Sequence, residues 1–151
     1  MVRWLRAHRE FPAGVAVEDL GTPGPGLPTW LAGYRAVILV DTALLDAPPG
    51  SLHLLDGEAV AGSGCRAGPH DVDLRAALDA LALAGEAPRR VRVIATVPAS
   101  TETGAPLSDP VRRAVPRAGR LVVEELARLG LRCPERVPPL PWSPDWDGTP
   151  P

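Results

Sequence analysis

The feature that most constrains the fold is an uninterrupted apolar run, Ala36 to Val40, that ends in Asp41. Three of its five residues are β-branched, and no polar residue alternates with them. Such a run predicts a strand that is covered on both faces, as in a parallel sheet between layers of helices. In open α/β sheets, ligands bind outside the carboxyl ends of the strands, which is where Asp41 stands. Asp41 is therefore either a functional carboxylate or a cap for the loop that follows it, a common role for Asp.

Hydrophobic periodicity along the rest of the chain predicts alternating strands and helices. Strands are predicted at Val15–Leu20, Ala36–Val40, Ser51–Leu55 and Val91–Val97, and helices at Met1–Glu10, Leu27–Gly33, Asp71–Ala84 and Asp109–Leu129. The loop before Ser51–Leu55 is too short for a helical crossover, so this segment is expected to be an antiparallel edge strand. The order of elements predicts an α/β three-layer sandwich, with a mostly parallel sheet flanked by helices.

The length of 151 residues fits one domain, which we place at residues 1–133. Seven of the last 18 residues are proline, and residues 134–151 are therefore predicted to be a disordered tail.

Charge, hydropathy and cysteine usage exclude several classes of function. The net charge of −2 gives no electrostatic footprint for nucleic acid, and no apolar run approaches the ~18 residues that a membrane span needs. Two cysteines, Cys65 and Cys133, do not make a disulfide framework. A reduced, cytoplasmic protein is the expectation.

A second candidate for chemistry is His70, where a glycine-containing segment meets the predicted helix at Asp71. A neutral imidazole together with a carboxylate such as Asp41 suits a borderline divalent metal, although metal sites generally have three or more protein ligands. The alternative is that His70 caps its helix or is solvated, which is the commoner situation for a lone histidine. His8 and His53 are assigned to that alternative.

Several short motifs resemble, in the right order, those of the hydrogenase maturation endopeptidases. These enzymes trim the C-terminal extension from the large subunit of NiFe-hydrogenases. The matching stretches are Asp19–Gly24 (family pattern Asp-Gly-Gly-Thr-x-Gly, with Leu20 at the first Gly), Val40-Asp41 followed by Pro49-Gly50, Pro69-His70 before a helix, Val97-Pro98 after a strand, and Leu107-Ser108 through Pro116.

The resemblance implies a site at the carboxyl edge of the sheet, where two carboxylates and one histidine bind nickel. Asp41 falls on the second carboxylate and His70 on the histidine, while Asp19, Gly21 and Thr22 match a motif that we assign to substrate recognition. In the family the first carboxylate follows an N-terminal strand and a Gly-x-Gly-Asn turn. Neither is present here, so we expect an N-terminally truncated chain that lacks the first central strand and the third, acidic ligand.

By resemblance, the expected function is that of an endopeptidase. It removes the C-terminal extension of the NiFe-hydrogenase large-subunit precursor after nickel insertion. The nickel is contributed by the substrate subunit, and no other cofactor is implied. The alternative is a catalytically impaired relative that acts as a binding module on the hydrogenase subunit.

Overall fold

The computed structural model describes residues 1–57, 71–102 and 106–143, without the side chains of residues 71–73. A 3₁₀ turn at Gly24–Gly26 leads directly into the second helix. The helices are α1 (Val2–His8), α2 (Leu27–Leu31), α3 (Asp71–Ala84) and α4 (Asp109–Arg128), and the strands are β1 (Ala36–Thr42), β2 (Leu52–Asp56) and β3 (Arg90–Thr96). Seven of the eight predicted elements are therefore confirmed, each within a few residues of its predicted ends.

The described strands form one sheet in the order β1-β3-β2. β1 lies parallel to β3, with Ala36 opposite Arg90 and Thr42 opposite Thr96. β2 pairs with the other side of β3 in the antiparallel direction, as the short loop before it predicts. Within the described part of the chain the sheet is therefore mixed, and the apolar strand β1 occupies one of its edges.

Helices cover both faces of this sheet. Consecutive side chains of a strand point to opposite faces, so neighbouring residues of β3 contact different helices. Val93 packs against α2 and α3, in a cluster with Leu27, Leu31, Leu74, Ala77 and Leu81. Ile94, which is fully buried, packs against α1 and α4, in a cluster with Trp4, Leu5, Val115, Val122 and Leu126. The predicted three-layer α/β sandwich is confirmed.

The two helices of one outer layer meet at a glycine. A Cβ atom added at Gly119 of α4 would overlap the ring of Trp4 on α1. The same ring stacks on His8, at 4.5 Å between ring centroids, and the His8 side chain is hydrogen bonded through Nδ1 to the Trp4 carbonyl at 2.9 Å. His8 is half-buried, and its side chain both binds a carbonyl of its own helix and packs on Trp4.

The predicted strand at Val15–Leu20 is wrong, since this segment is neither strand nor helix. It lies across a groove from β1, and in the described residues no backbone hydrogen bond joins the two. A strand needs the backbone of a neighbour, because its N–H and C=O groups pair between chains and not within one. The sequence pattern is that of a strand, but no strand pairs with this segment among residues 1–57, 71–102 and 106–143.

The first part of the predicted tail differs from the expectation of disorder. Three backbone hydrogen bonds tie it to α1 and the residues after it: Glu10 N–H to Pro134, Arg136 N–H to His8, and Leu140 N–H to Ala7. Trp142 adds an edge-to-face contact with His8. Residues 134–143 are therefore positioned by α1, a contact that composition alone does not reveal, and residues 144–151 lie outside the described part.

Candidate functional site

A groove of about 1030 Å³ runs along the outer edge of β1. All seven residues of β1 line it on one side, and residues 14–21 line the other. Three of the residues that the sequence singled out, Asp19, Gly21 and Asp41, lie along this one groove. The two acidic positions that the sequence analysis selected separately therefore line the same groove.

Asp41 is exposed and lies near the carboxyl end of β1, as predicted. Its Oδ1 accepts a hydrogen bond from the backbone N–H of Thr42 at 2.7 Å, so the local capping role is realised. A carboxylate offers about four acceptor positions on its two oxygens. This single hydrogen bond therefore leaves Asp41 able to bind a ligand as well.

Asp19 is held by a tight turn. Its Oδ1 accepts a hydrogen bond from the Gly21 N–H at 3.2 Å, and Gly21 adopts φ +55°, a left-handed conformation that glycine accepts without steric cost. The turn places the exposed Asp19 on the wall of the groove. Thr22 is exposed but is not among the residues that line the groove.

His70, the predicted imidazole ligand, lies outside the described residues, as does Cys65. The helix predicted to follow His70 begins at Asp71, and Leu74 in its first turn is buried and lines the groove beside β1. Within residues 1–57, 71–102 and 106–143, no three His, Cys, Asp or Glu side chains converge as a metal site.

Two aromatic side chains on the groove were not selected by the sequence analysis. Trp30 is 50% exposed and Tyr34 is 42% exposed, and both line the groove next to α2 and β1. Neither residue belongs to an apolar period or a chemical motif. The sequence therefore does not indicate that they line the same groove as β1. The Met1 ammonium also lies at the groove, where burial lowers the pKa of the amine below its usual value.

The groove carries opposite charges at the two ends of β1. Arg35 precedes the strand, Arg90 pairs in register with Ala36, and Arg89 donates its backbone N–H to the Arg35 carbonyl at 2.9 Å. All three arginines are exposed and line the groove. Asp41 lies towards the opposite end of β1, and Glu18, Asp19 and Arg128 also line the groove.

The fold is that of a three-layer α/β sandwich with an exposed carboxylate near the carboxyl end of an edge strand. The model of the hydrogenase maturation protease family matches residues 1–125, and the chain belongs to that family. A comparison with curated protein sequences gives no significant match.

Solved structures agree with this assignment. The hydrogenase-maturating endopeptidase HybD from E. coli is 26% identical, with a TM-score of 0.82 over 90% of this chain and 85% of its own. The solution structure of an endopeptidase from Escherichia coli gives 25% identity and a TM-score of 0.82, covering 91% of this chain and 86% of that one. A hydrogenase 2 maturation peptidase from Thaumarchaeota archaeon SCGC_AB-539-E09 is 30% identical, with a TM-score of 0.59 over 83% of this chain and 85% of its own.

The family and these structural relatives are endopeptidases, so the chain is a peptidase by resemblance. The predictions of family, fold class and enzyme class are confirmed. Among the described helices, none has both the length and the apolar character required to cross a membrane.

Proposed function

We propose that this chain removes the C-terminal extension from the large-subunit precursor of a NiFe-hydrogenase, after nickel has been inserted into that precursor. Membership of the hydrogenase maturation protease family supports this role, as does the similarity to HybD. The observation that carries the proposal is the position of Asp41. It is an exposed carboxylate towards the carboxyl end of a parallel strand, on a groove large enough for a peptide.

In this proposal the precursor brings the nickel, and Asp41 and His70 contact it. Carboxylate oxygen and imidazole nitrogen are both suitable ligands for a divalent metal of this type. Leu74, which follows His70 by four positions in the sequence, lies on the same groove as Asp41. Asp19, Gly21 and Thr22 form the turn that we assign to contact with the precursor protein.

A second candidate function is a binding module that docks on the precursor without cleaving it. In this alternative the chain recognises the precursor through the groove without hydrolysing it. The two functions differ in one observable. Both require the precursor to bind, but only the peptidase shortens the precursor. We place either function in the cytoplasm, and the free, buried Cys133 is compatible with a reducing compartment.

The site is tested by precursor processing with four proteins: the unaltered chain, Asp41→Asn, His70→Ala and Asp46→Asn. Asp46 is the matched control, because it is an exposed aspartate in the loop after β1 and is not among the groove-lining residues. We expect the unaltered chain and Asp46→Asn to convert a nickel-loaded precursor to the shorter form on a gel. Asp41→Asn and His70→Ala should reduce the rate at least ~100-fold, as expected when an essential metal contact is lost.

Full processing by Asp41→Asn and His70→Ala would remove these residues from the mechanism. Precursor that binds the unaltered chain and keeps its length would instead support the binding module. Circular dichroism of each variant shows whether the fold is retained; Asp41 lies outside the two buried clusters.

A further inference from the structure

We propose that the exposed face of α4 that carries Arg113, Arg117 and Arg120 docks an acidic segment of the precursor protein. These three residues form the basic face of α4, and the docked segment is an extended peptide with carboxylates at alternate positions. This docking rests on the proposed function, since the precursor held here is the one cleaved beside Asp41.

The first observation is that the basic face carries three arginines without partners. They recur at i, i+4 and i+7, which places them on one side of the helix, and all three are exposed. Within the described part of the chain none of their guanidinium groups takes part in an ion pair, whereas Arg112 and Arg128 of the same helix do. Like charges one turn apart destabilise a helix, so the fold itself does not call for this arrangement.

The second observation is the place of the basic face in the fold. A pocket of about 250 Å³ lies between Gly50 and α4, and Arg113 and Arg117 both line it. The Gly50 N–H donates to the carbonyl of Val97, directly after β3, at 2.8 Å. The pocket therefore lies at the carboxyl edge of the sheet, which is the edge where Asp41 is found.

Backbone contacts fix the shape of this pocket. Gly50 adopts φ +84°, and a Cβ added to it would lie 2.6 Å from the carbonyl oxygen of Pro110 in the first turn of α4. The volume is below the ~300 Å³ at which pockets for small molecules begin, so it suits a single side chain. Two guanidinium groups lining it select a carboxylate, to which arginine donates paired hydrogen bonds.

The third observation is the spacing of the charges. With a rise of about 1.5 Å for each helical residue, Arg117 lies about 6 Å along α4 from Arg113 and about 4.5 Å from Arg120. Alternate residues of an extended peptide share one face and lie about 6.6 Å apart. Acidic residues at alternate positions therefore match the basic face, which ends where the exposed Glu124 lies one turn beyond Arg120.

The charge of the whole molecule favours a protein segment over a nucleic acid. The net charge of the chain is −2, so the positive charge on α4 is local. Proteins that bind DNA strongly make about 6–10 phosphate contacts from a basic domain. Three arginines on an acidic protein instead match a short peptide that carries two or three carboxylates.

The first test measures binding of a peptide, Gly-Glu-Gly-Glu-Gly-Glu-Gly, by fluorescence anisotropy at about 50 mM salt, where surface charges are weakly screened. The peptide carries the fluorophore at its N-terminus and an amide at its C-terminus. A matched peptide with Gln in place of each Glu should bind at least tenfold more weakly. Arg117→Glu should weaken binding of the Glu peptide at least tenfold, because it replaces attraction by repulsion at the centre of the basic face. Arg132→Glu makes the same change at an exposed residue that lines neither pocket, and it should leave binding unchanged.

The second test measures processing of the nickel-loaded precursor by the same proteins. Arg117→Glu should raise KM at least tenfold and change kcat less than twofold, since a docking contact made equally before and during the reaction affects KM alone. Arg117→Lys keeps the charge and should recover most of the lost affinity, and Arg132→Glu should keep the KM of the unaltered chain. Pull-down of the precursor on each protein measures binding independently of cleavage.

Processing by Arg117→Glu with an unchanged KM would overturn the docking face and leave the proposed function standing. A precursor whose binding depends on Arg117 but which is never shortened would instead overturn the proposed function and keep the docking face. Equal binding of the Glu and Gln peptides would overturn the match to carboxylates. A DNA duplex that binds through Arg117 more tightly than the Glu peptide would assign the face to nucleic acid, and a dimer that Arg117→Glu dissociates would assign it to a second copy.

Discussion

Cys133 shows how far burial changes the chemistry of a single residue. Its thiol is 6% exposed and packs in the α1 and α4 cluster with Trp4 and Leu126. Burial raises the pKa of the Cys133 thiol above its usual value, and the positive charge of Arg9 opposes this only in part. Since the thiolate is the reactive form, Cys133 is a structural residue in the native protein and not a candidate nucleophile.

We therefore predict slow alkylation of Cys133 in a Cys65→Ser background, where it is the single thiol. Native protein at pH 8 should react with iodoacetamide roughly tenfold more slowly than urea-unfolded protein, because less thiolate is present. The unfolded chain loses the thiol proton first as pH rises, so the free energy of unfolding should fall above about pH 8.5. Cys133→Ala should lack that decline. Equal alkylation of native and unfolded protein would contradict the burial of this residue.

For Asp41, the sequence predicted the position of the residue but not its role. Its position after an apolar run was enough to place it near the carboxyl end of a strand, which the structure confirms. The sequence left open whether Asp41 caps the loop or serves a site, and the structure shows that the carboxylate does cap Thr42 while facing the groove. His70 lies outside the described residues, so its pairing with Asp41 stays a prediction.

Among the elements, the contact between α1 and α4 depends on Gly119. The Trp4 ring fills the space in which any Cβ at this position would lie, and Trp4 is 6% exposed. Gly119→Ala should therefore destabilise the protein by about 1–3 kcal/mol, the usual cost of overpacking a core, in spite of the better helix propensity of alanine. Urea unfolding measures this difference.

Gly26→Ala is the control for that measurement. A Cβ at Gly26 would meet nothing within 4 Å, and this glycine is not among those with positive φ. The free energy of unfolding of the Gly26→Ala protein should stay within about 0.5 kcal/mol of that of the unaltered protein, as for most exposed substitutions. A Gly119→Ala protein as stable as Gly26→Ala would show that α1 is not packed on α4 as described.

Some secondary-structure elements are predicted by their own local sequence, and others depend on contacts with distant residues. The helices α3 and α4 were predictable because each has an apolar period and a glycine at its end, Gly85 or Gly130, and β1 because its apolar run is continuous. The conformation of Val15–Leu20 was not predictable in this way. A strand also needs a neighbouring backbone, and the local sequence does not show where that neighbour lies. The ordered segment 134–143 was missed for a related reason, since its contacts are with residues more than 100 positions away.

Across the whole molecule, the sheet and its outer layers are tied together by charge as well as by apolar packing. Arg92 on β3 pairs with Asp56 on β2 and, at 3.3 Å, with Glu125 on α4. Glu125 is 2% exposed and pairs with Arg128 as well, so its buried charge is compensated from two sides. Arg128 of this network also lines the groove beside β1, so the ion pairs connect α4, β3 and β2 to the candidate site.

The central claim is that this chain is an endopeptidase acting on a nickel-loaded hydrogenase precursor, and the intact mass of that precursor tests it most directly. The nickel-loaded and nickel-free precursors are each incubated with the chain. We predict that the nickel-loaded precursor loses the mass of its C-terminal extension and that the nickel-free precursor keeps its full mass. A nickel-loaded precursor that binds the chain but keeps its full mass would contradict the claim.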